Sequence, residues 1–188
     1  MTGRIDKLQE KYNFSVRWRA FPLHPETPVE GQRLEDLFQA SSEKVQEMVS
    51  HLKHTAEEMG LPFGERTMTY NSRLAQELGL WAVSKGKGKT FHMAAFRAYF
   101  ADGVNLARIP VLLKLAEEVG LPRKNAEKVL ESRSFRDAVD RDWTESQFRS
   151  ITAVPTFSIN NHKLVGAQSY DNLVRLVTEN GVEMKKQP

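Results

Sequence analysis

Ala153-Val154-Pro155-Thr156-Phe157-Ser158-Ile159-Asn160-Asn161-His162-Lys163-Leu164-Val165-Gly166-Ala167-Gln168 is the stretch on which the fold turns. Val154 to Ile159 and His162 to Val165 are short runs rich in β-branched and aromatic residues, the composition of strands. Asn160-Asn161 between them is a two-residue turn, and asparagine tolerates the positive φ that such turns require. The pattern predicts a β-hairpin whose first strand is entered through Pro155, where a missing N–H does least harm. Downstream, Leu173, Val174 and Val177 share one face of a helix predicted from Tyr170 to Glu179.

At the other end of the chain, Ile5, Leu8 and Tyr12 recur at i, i+3 and i+7, which predicts a helix with Lys7, Gln9, Glu10 and Lys11 on its far side. Asn13 breaks it. Phe14-Ser15-Val16-Arg17-Trp18-Arg19-Ala20-Phe21 then alternates apolar and polar, the pattern of a half-buried strand with Trp18 in the core and Arg17 and Arg19 facing the other way. Pro22 and Pro25 end it, and a loop runs to Gly31.

Between these ends, from Leu34 to Arg149, the apolar period stays near 3.6. Leu34, Leu37, Phe38, Val45, Met48, Val49, Leu52 and Met59 form one long stripe stopped by Gly60 and Pro62. Asn71 is placed to cap a helix carrying Leu74, Leu78 and Trp81. Phe91, Ala95, Phe96, Tyr99 and Phe100 make an aromatic helix halted at Gly103. Pro110 opens a helix with Leu112, Leu113, Ala116 and Val119, ended by Gly120. Two shorter helices are predicted around 126–131 and 135–150. The expected division is a discontinuous domain of residues 1–31 and 151–188, interrupted by an all-helical unit of residues 32–150.

The order is α–β, a helical block, then β-β–α. In that order, three stretches carry a family resemblance over about residues 3–177. Arg17-Trp18-Arg19-Ala20-Phe21-Pro22-Leu23-His24-Pro25-Glu26-Thr27-Pro28 resembles the strand and proline-rich exit that follow the active-site helix of DsbA-like thiol–disulfide oxidoreductases, in particular the FrnE-type branch. Phe96-Arg97-Ala98-Tyr99-Phe100-Ala101-Asp102-Gly103-Val104-Asn105 is similar to the aromatic helix of the family's insertion. Val154-Pro155-Thr156-Phe157 with Gly166-Ala167-Gln168 resembles its proline loop and hairpin end. The resemblance implies an α/β, thioredoxin-like fold with a large helical insertion. It also implies a cis Val154–Pro155 peptide near the start of the first helix, although X-Pro bonds in folded proteins are cis only about 5% of the time.

The family works through a Cys-x-x-Cys pair in which a thiolate at a helix N-terminus attacks a disulfide and a second cysteine resolves it. This sequence contains no cysteine. It begins almost where that pair would end, which implies either a start placed at an internal Met or a protein that has lost its redox pair. The resemblance also implies a first strand between residues 14–21 and 154–159. Each buried backbone group left without a partner costs about 1–3 kcal/mol. Those two segments are therefore expected to pair directly, or to accept a strand from a second copy, or else to leave a gap that residues upstream of this sequence would fill in the protein.

Composition narrows the function further. With 188 residues, 40% hydrophobic and 27% charged, the chain can build a real core. A net charge of +3 without clustering gives no argument for nucleic acid. No run reaches the roughly 18 apolar residues of a membrane span, and residues 1–7 lack the apolar segment of a signal peptide. The absence of cysteine excludes disulfides and fits a reducing compartment, so a cytoplasmic location is expected.

Other motifs lead nowhere catalytic. Gly86-Lys87-Gly88-Lys89-Thr90 superficially suggests a phosphate loop, but Val83 stands where the motif needs glycine and a helix precedes it. His51 and His54, followed by Glu57 and Glu58, lack the spacing and the further ligands of a zinc site. His24 suits a structural hydrogen bond, and for His92 and His162 the sequence pattern points to no particular partner. No metal ligands, catalytic residues or cofactor are assigned. What the resemblance implies is a substrate-binding loop at Val154, Pro155 and Thr156, which offers backbone to an extended peptide or protein carrying a thiol or disulfide. Glutathione and a homodimer are further candidate partners. The competing readings are a glutathione-dependent isomerase or kappa-class transferase, which would place Ser or Cys at the helix start where Thr2 is the nearest hydroxyl, and a non-catalytic, chaperone-like peptide-binding module.

Overall fold

The computed structural model describes residues 2–186. Its elements run α1 (Thr2–Lys11), β1 (Gln32–Arg33), α2 (Leu34–Phe38), α3 (Ser42–Glu58), β2 (Met68–Thr69), α4 (Arg73–Ser84), α5 (Gly88–Phe100), α6 (Ile109–Glu118), α7 (Arg123–Ser132), α8 (Arg136–Phe148), β3 (Thr156–Ile159), β4 (His162–Val165) and α9 (Tyr170–Glu179). The chain forms two compact units. One joins Met1–Leu23 to Asp142–Pro188, and the other is His24–Arg141. The division therefore falls at Leu23 and within α8, rather than at residues 31 and 150. The C-terminal half of α8 is tied to the N-terminal segment through Asp142, whose carboxylate accepts 2.7 Å from Arg19 Nη1 and 2.9 Å from the Ala20 N–H.

In the discontinuous unit, α1 packs along α9. Leu8, Tyr12, Leu173 and Val177 form its buried core, with Phe14, Phe157 and Ile159 partly buried against them. The hydrophobic spacing of both helices places these residues on facing stripes. Ser169 caps α9 by accepting from the Asn172 N–H. β3 and β4 pair antiparallel in the register Thr156↔Val165, Phe157↔Leu164, Ser158↔Lys163 and Ile159↔His162. Asn160, in the turn, takes φ +53°, the conformation for which asparagine is suited.

The strand expected at residues 14–21 does not form. The alternation survives only in part as exposure, with Phe14, Trp18 and Ala20 half-buried, Arg17 and Arg19 exposed, and Val16 exposed against the pattern, and no ladder flanks the segment among the described residues. A strand is defined by its pairing, and the pattern in one segment cannot supply the neighbour. The direct pairing expected within the chain does not occur: among the described residues, 14–21 do not pair with β3, whose sheet neighbour is β4. The chain instead pairs Tyr12 with Met184 in an isolated antiparallel bridge, with Asn13 N–H donating to Glu183 O and Lys185 N–H to Lys11 O. Nothing in the sequence pattern announced this contact.

The second unit is helical apart from the two-residue strands β1 and β2, which pair antiparallel. The long stripe from Leu34 to Met59 is two helices, not one. Gln39 enters the left-handed region at φ 49°, and Ser41 caps a new helix by accepting from Lys44 N–H. α4 to α7 enclose the core, with Leu78, Phe91, Leu112, Ala116, Ala126 and Leu130 almost wholly buried. Pro110 opens α6, and Asn71 Oδ1 accepts from the Arg73 N–H at the start of α4, one residue outside the cap position. Gly88 to Thr90 are the first turn of α5 rather than a phosphate loop. Inside this core, Glu77 is fully buried and bound by Arg73 Nε at 2.7 Å and by two nitrogens of Arg133 at 2.7 Å each.

Candidate functional site: the proline-entered hairpin

The Val154–Pro155 peptide is cis. Val154 is exposed, and Thr156 Oγ1 turns back to donate 2.7 Å to Ala153 O, closing the approach to the proline. Pro155 has no N–H to give, but its carbonyl accepts 2.7 Å from Gly166 N–H. That bond fixes the phase of the ladder. Antiparallel pairs alternate between hydrogen-bonded and non-bonded, so if Pro155 and Gly166 are bonded, Phe157 with Leu164 and Ile159 with His162 are bonded too. Thr156 and Ser158 then point their N–H and C=O groups away from β4. No strand of the described chain pairs with that side of β3.

The end of the hairpin is tied to α1. Arg4 Nη1, in the first turn of that helix, donates 2.6 Å to Gln168 O. Gln168 Nε2 donates 2.7 Å back to Val165 O, and its Oε1 accepts 2.9 Å from Asn172 of α9. Three elements are thereby pinned around the strand end that follows Pro155. Gln168 lies in the deciding stretch and could have been singled out; Arg4 carried no signal beyond its place on a polar face. The expectation that Pro155 lies beside residues 1–5 partly concerns Met1, which is outside the described residues.

Chemically, the site presents backbone donors and acceptors, a half-exposed valine and no thiol. The other histidines are scattered: His51 and His54 are exposed on α3, His24 lies edge-on to Phe38, and burial lowers the basicity of His92, which packs against Phe96. His162 Nδ1 meets Asn180 Oδ1 at 2.9 Å. No cluster of metal-binding side chains occurs among the described residues. A hollow of about 360 Å³ lies at the Asn160-Asn161 turn, lined by Phe148, Arg149 and Lys163, at the opposite end of the hairpin from Pro155.

A hairpin entered through a cis-proline and packed on an α1–α9 layer, interrupted by a helical unit, is the arrangement of a thioredoxin-like protein with an insertion. A family model described as a DSBA-like thioredoxin domain matches residues 1–178, and the chain belongs to that family. The uncharacterized protein YwbO of Bacillus subtilis is 30% identical over 180 residues, covering 91% of this chain and 83% of that protein. The fold is that of a probable DsbA oxidoreductase of Streptomyces coelicolor, with TM-score 0.87, 22% identity, and coverage of 95% of this chain and 82% of the other. A 2-hydroxychromene-2-carboxylate isomerase shares it at TM-score 0.70 and 20% identity, over 95% of this chain and 85% of its own. No described helix is long and apolar enough to cross a membrane.

Proposed function

We propose that this DsbA-like chain, of the FrnE-type branch, binds extended peptide segments of cytoplasmic proteins by strand addition along the free edge of β3, at Val154, Pro155 and Thr156. The observation that carries the reading is the phase of the hairpin, which turns the N–H and C=O of Thr156 and Ser158 outward. A peptide laid antiparallel or parallel on that edge gains main-chain hydrogen bonds whatever its sequence, and the exposed Val154 offers apolar contact to one side chain. Substrates with thiols or disulfides fit the family. These 188 residues supply the binding edge and no nucleophilic sulfur, so exchange of a disulfide would need a thiol from elsewhere.

The test exploits the ladder phase. Ser158→Pro removes an outward N–H and leaves the β4 ladder intact, whereas Val165→Pro removes an outward N–H from the opposite edge. Fluorescence anisotropy of a labelled, cysteine-free extended peptide should show about tenfold weaker binding for Ser158→Pro, the loss of one net hydrogen bond, and no change for Val165→Pro. Equal effects of the two substitutions, or none, would remove the reading. In an insulin-reduction assay the purified chain should not exceed background.

A further inference from the structure

α3 is the longest helix described and among the least covered. Of its residues only Val45 is buried. Val45, Met48, Leu52 and the C-cap Met59, with Thr55 between the last two, repeat at alternating spacings of three and four, the seam of a coiled coil, while Val49 and Ala56 lie half-buried along one flank of it. Leu52 lies at the centre of that stripe and is 49% exposed, and Met48 beside it is 38% exposed. A helix that buries only the end of its stripe leaves the middle for something else.

The charges flanking the stripe say what that is. Lys44, His51 and Glu58 occupy one edge at seven-residue intervals, positive toward the N-terminus and negative toward the C-terminus. Such an edge complements itself when turned end for end. Present partners do not compete strongly: Lys44 pairs with Glu47 at 2.8 Å and Glu58 with His54 at 3.4 Å, all with well-exposed side chains. Exposed pairs of this kind contribute about 0–1 kcal/mol and exchange readily.

We propose that α3 is a self-association face, through which two copies of this chain pair antiparallel across a two-fold axis near His51. The axis gathers Met48 and Leu52 of both copies into one apolar cluster and sets Lys44 of each copy opposite Glu58 of the other. The same patch serves both sides, as closed two-fold symmetry requires. This inference is independent of peptide binding at β3.

Sedimentation equilibrium of the full chain at low salt tests it. The unmodified chain should show a monomer–dimer equilibrium, and Leu52→Glu should abolish it while circular dichroism confirms an unchanged fold. Lys44→Glu and Glu58→Lys alone each create two like-charge juxtapositions per dimer and should weaken association about tenfold. The double variant Lys44→Glu/Glu58→Lys restores both pairs with signs exchanged and should return to the unmodified affinity. A chain that stays monomeric alone, as it would if a different protein covered this face, overturns the proposal. So does dimerisation that survives Leu52→Glu, or a double variant no tighter than the single ones.

Discussion

Glu77 shows how one residue can hold a helical unit together while looking unremarkable in sequence, where it reads as a polar position on α4. Burial pushes its carboxyl up, but hydrogen bonds from Arg133 and Arg73 outweigh burial and hold it below the usual carboxylate range. The network extends through Arg73 to Asp140 at 2.7 Å and to Arg136 O at 2.9 Å, stitching α4 to α8. Arg133 reaches it from the end of α7 in a left-handed conformation, φ 52°, that no periodicity would have foretold. Because the native value is depressed, the stabilisation is complete above the unfolded carboxyl value of about 4.3 and is lost as pH falls from there through the native value. Glu77→Gln removes the buried carboxylate shared by Arg133 and Arg73, leaving Asp140 as the remaining acidic partner of Arg73, and should cost about 3 kcal/mol at neutral pH. Thermal melts followed against pH should show the unmodified protein losing stability below about pH 4, with the gap between the two proteins narrowing there. A gap that stays constant down to pH 2 would mean that Glu77 is not ionised in the folded protein.

At the scale of elements, the sequence was most legible where a single segment carries its own instructions. β4 and α9 fall where the Asn-Asn turn and the apolar spacing put them, and Pro110 opens α6 as a first-turn proline should. It was least legible where structure depends on a distant partner. Residues 14–21 alternate as a strand does, yet strand status belongs to pairs. The bridge between Tyr12 and Met184 joins two stretches with no shared pattern. The break at Gln39 was hidden because the apolar stripe continues in phase across it. The loop between α3 and α4 is a further case. Arg66 stacks on Tyr99 and Phe100 with its guanidinium carbon 4.4 and 4.9 Å from the ring centroids, and donates to Tyr99 Oη at 2.7 Å. Gly64 N–H donates 2.9 Å to Phe100 O, and a Cβ on Gly64 would come within 2.2 Å of Ala101 O. The aromatic helix α5 is therefore the anchor for a loop that reads as featureless. Gly64→Ala must push backbone from backbone and should destabilise by about 1–3 kcal/mol, whereas Gly60→Ala meets nothing within 4 Å and carries only the strain of its positive φ. Urea titrations of the two variants should separate them. Equal midpoints would show that the loop yields freely.

For the whole molecule, the candidate site was legible in the hairpin and not around it. Val154, Pro155 and Thr156 were singled out on resemblance, but which backbone groups they free depends on the ladder phase. That phase follows from the bond between Pro155 and Gly166, which only the folded chain displays. The two units also differ in what supports them. The helical unit has a broad buried core running from Leu78 on α4 to Leu130 on α7, with Trp81 inside it. The discontinuous unit rests on Leu8, Tyr12, Leu173 and Val177 with a ring of partly buried neighbours, and neither outer edge of its hairpin is paired with a further strand among the described residues. Buried apolar area is the main source of stability, and regions that bury less open at lower cost. The discontinuous unit should therefore unfold first. The tryptophans allow this to be seen, since Trp18 and Trp143 lie in the discontinuous unit and Trp81 in the helical one. In urea, a Trp81→Phe variant reports only the discontinuous unit, and a Trp18→Phe/Trp143→Phe variant only the helical one. The first should show a midpoint at lower urea and a smaller slope, because less surface is exposed when the smaller core opens. Saturating peptide bound along β3 should raise that first midpoint and leave the second where it was, by mass action on the folded form alone. Coincident midpoints in both variants, moved together by peptide, would show that the two units unfold as one.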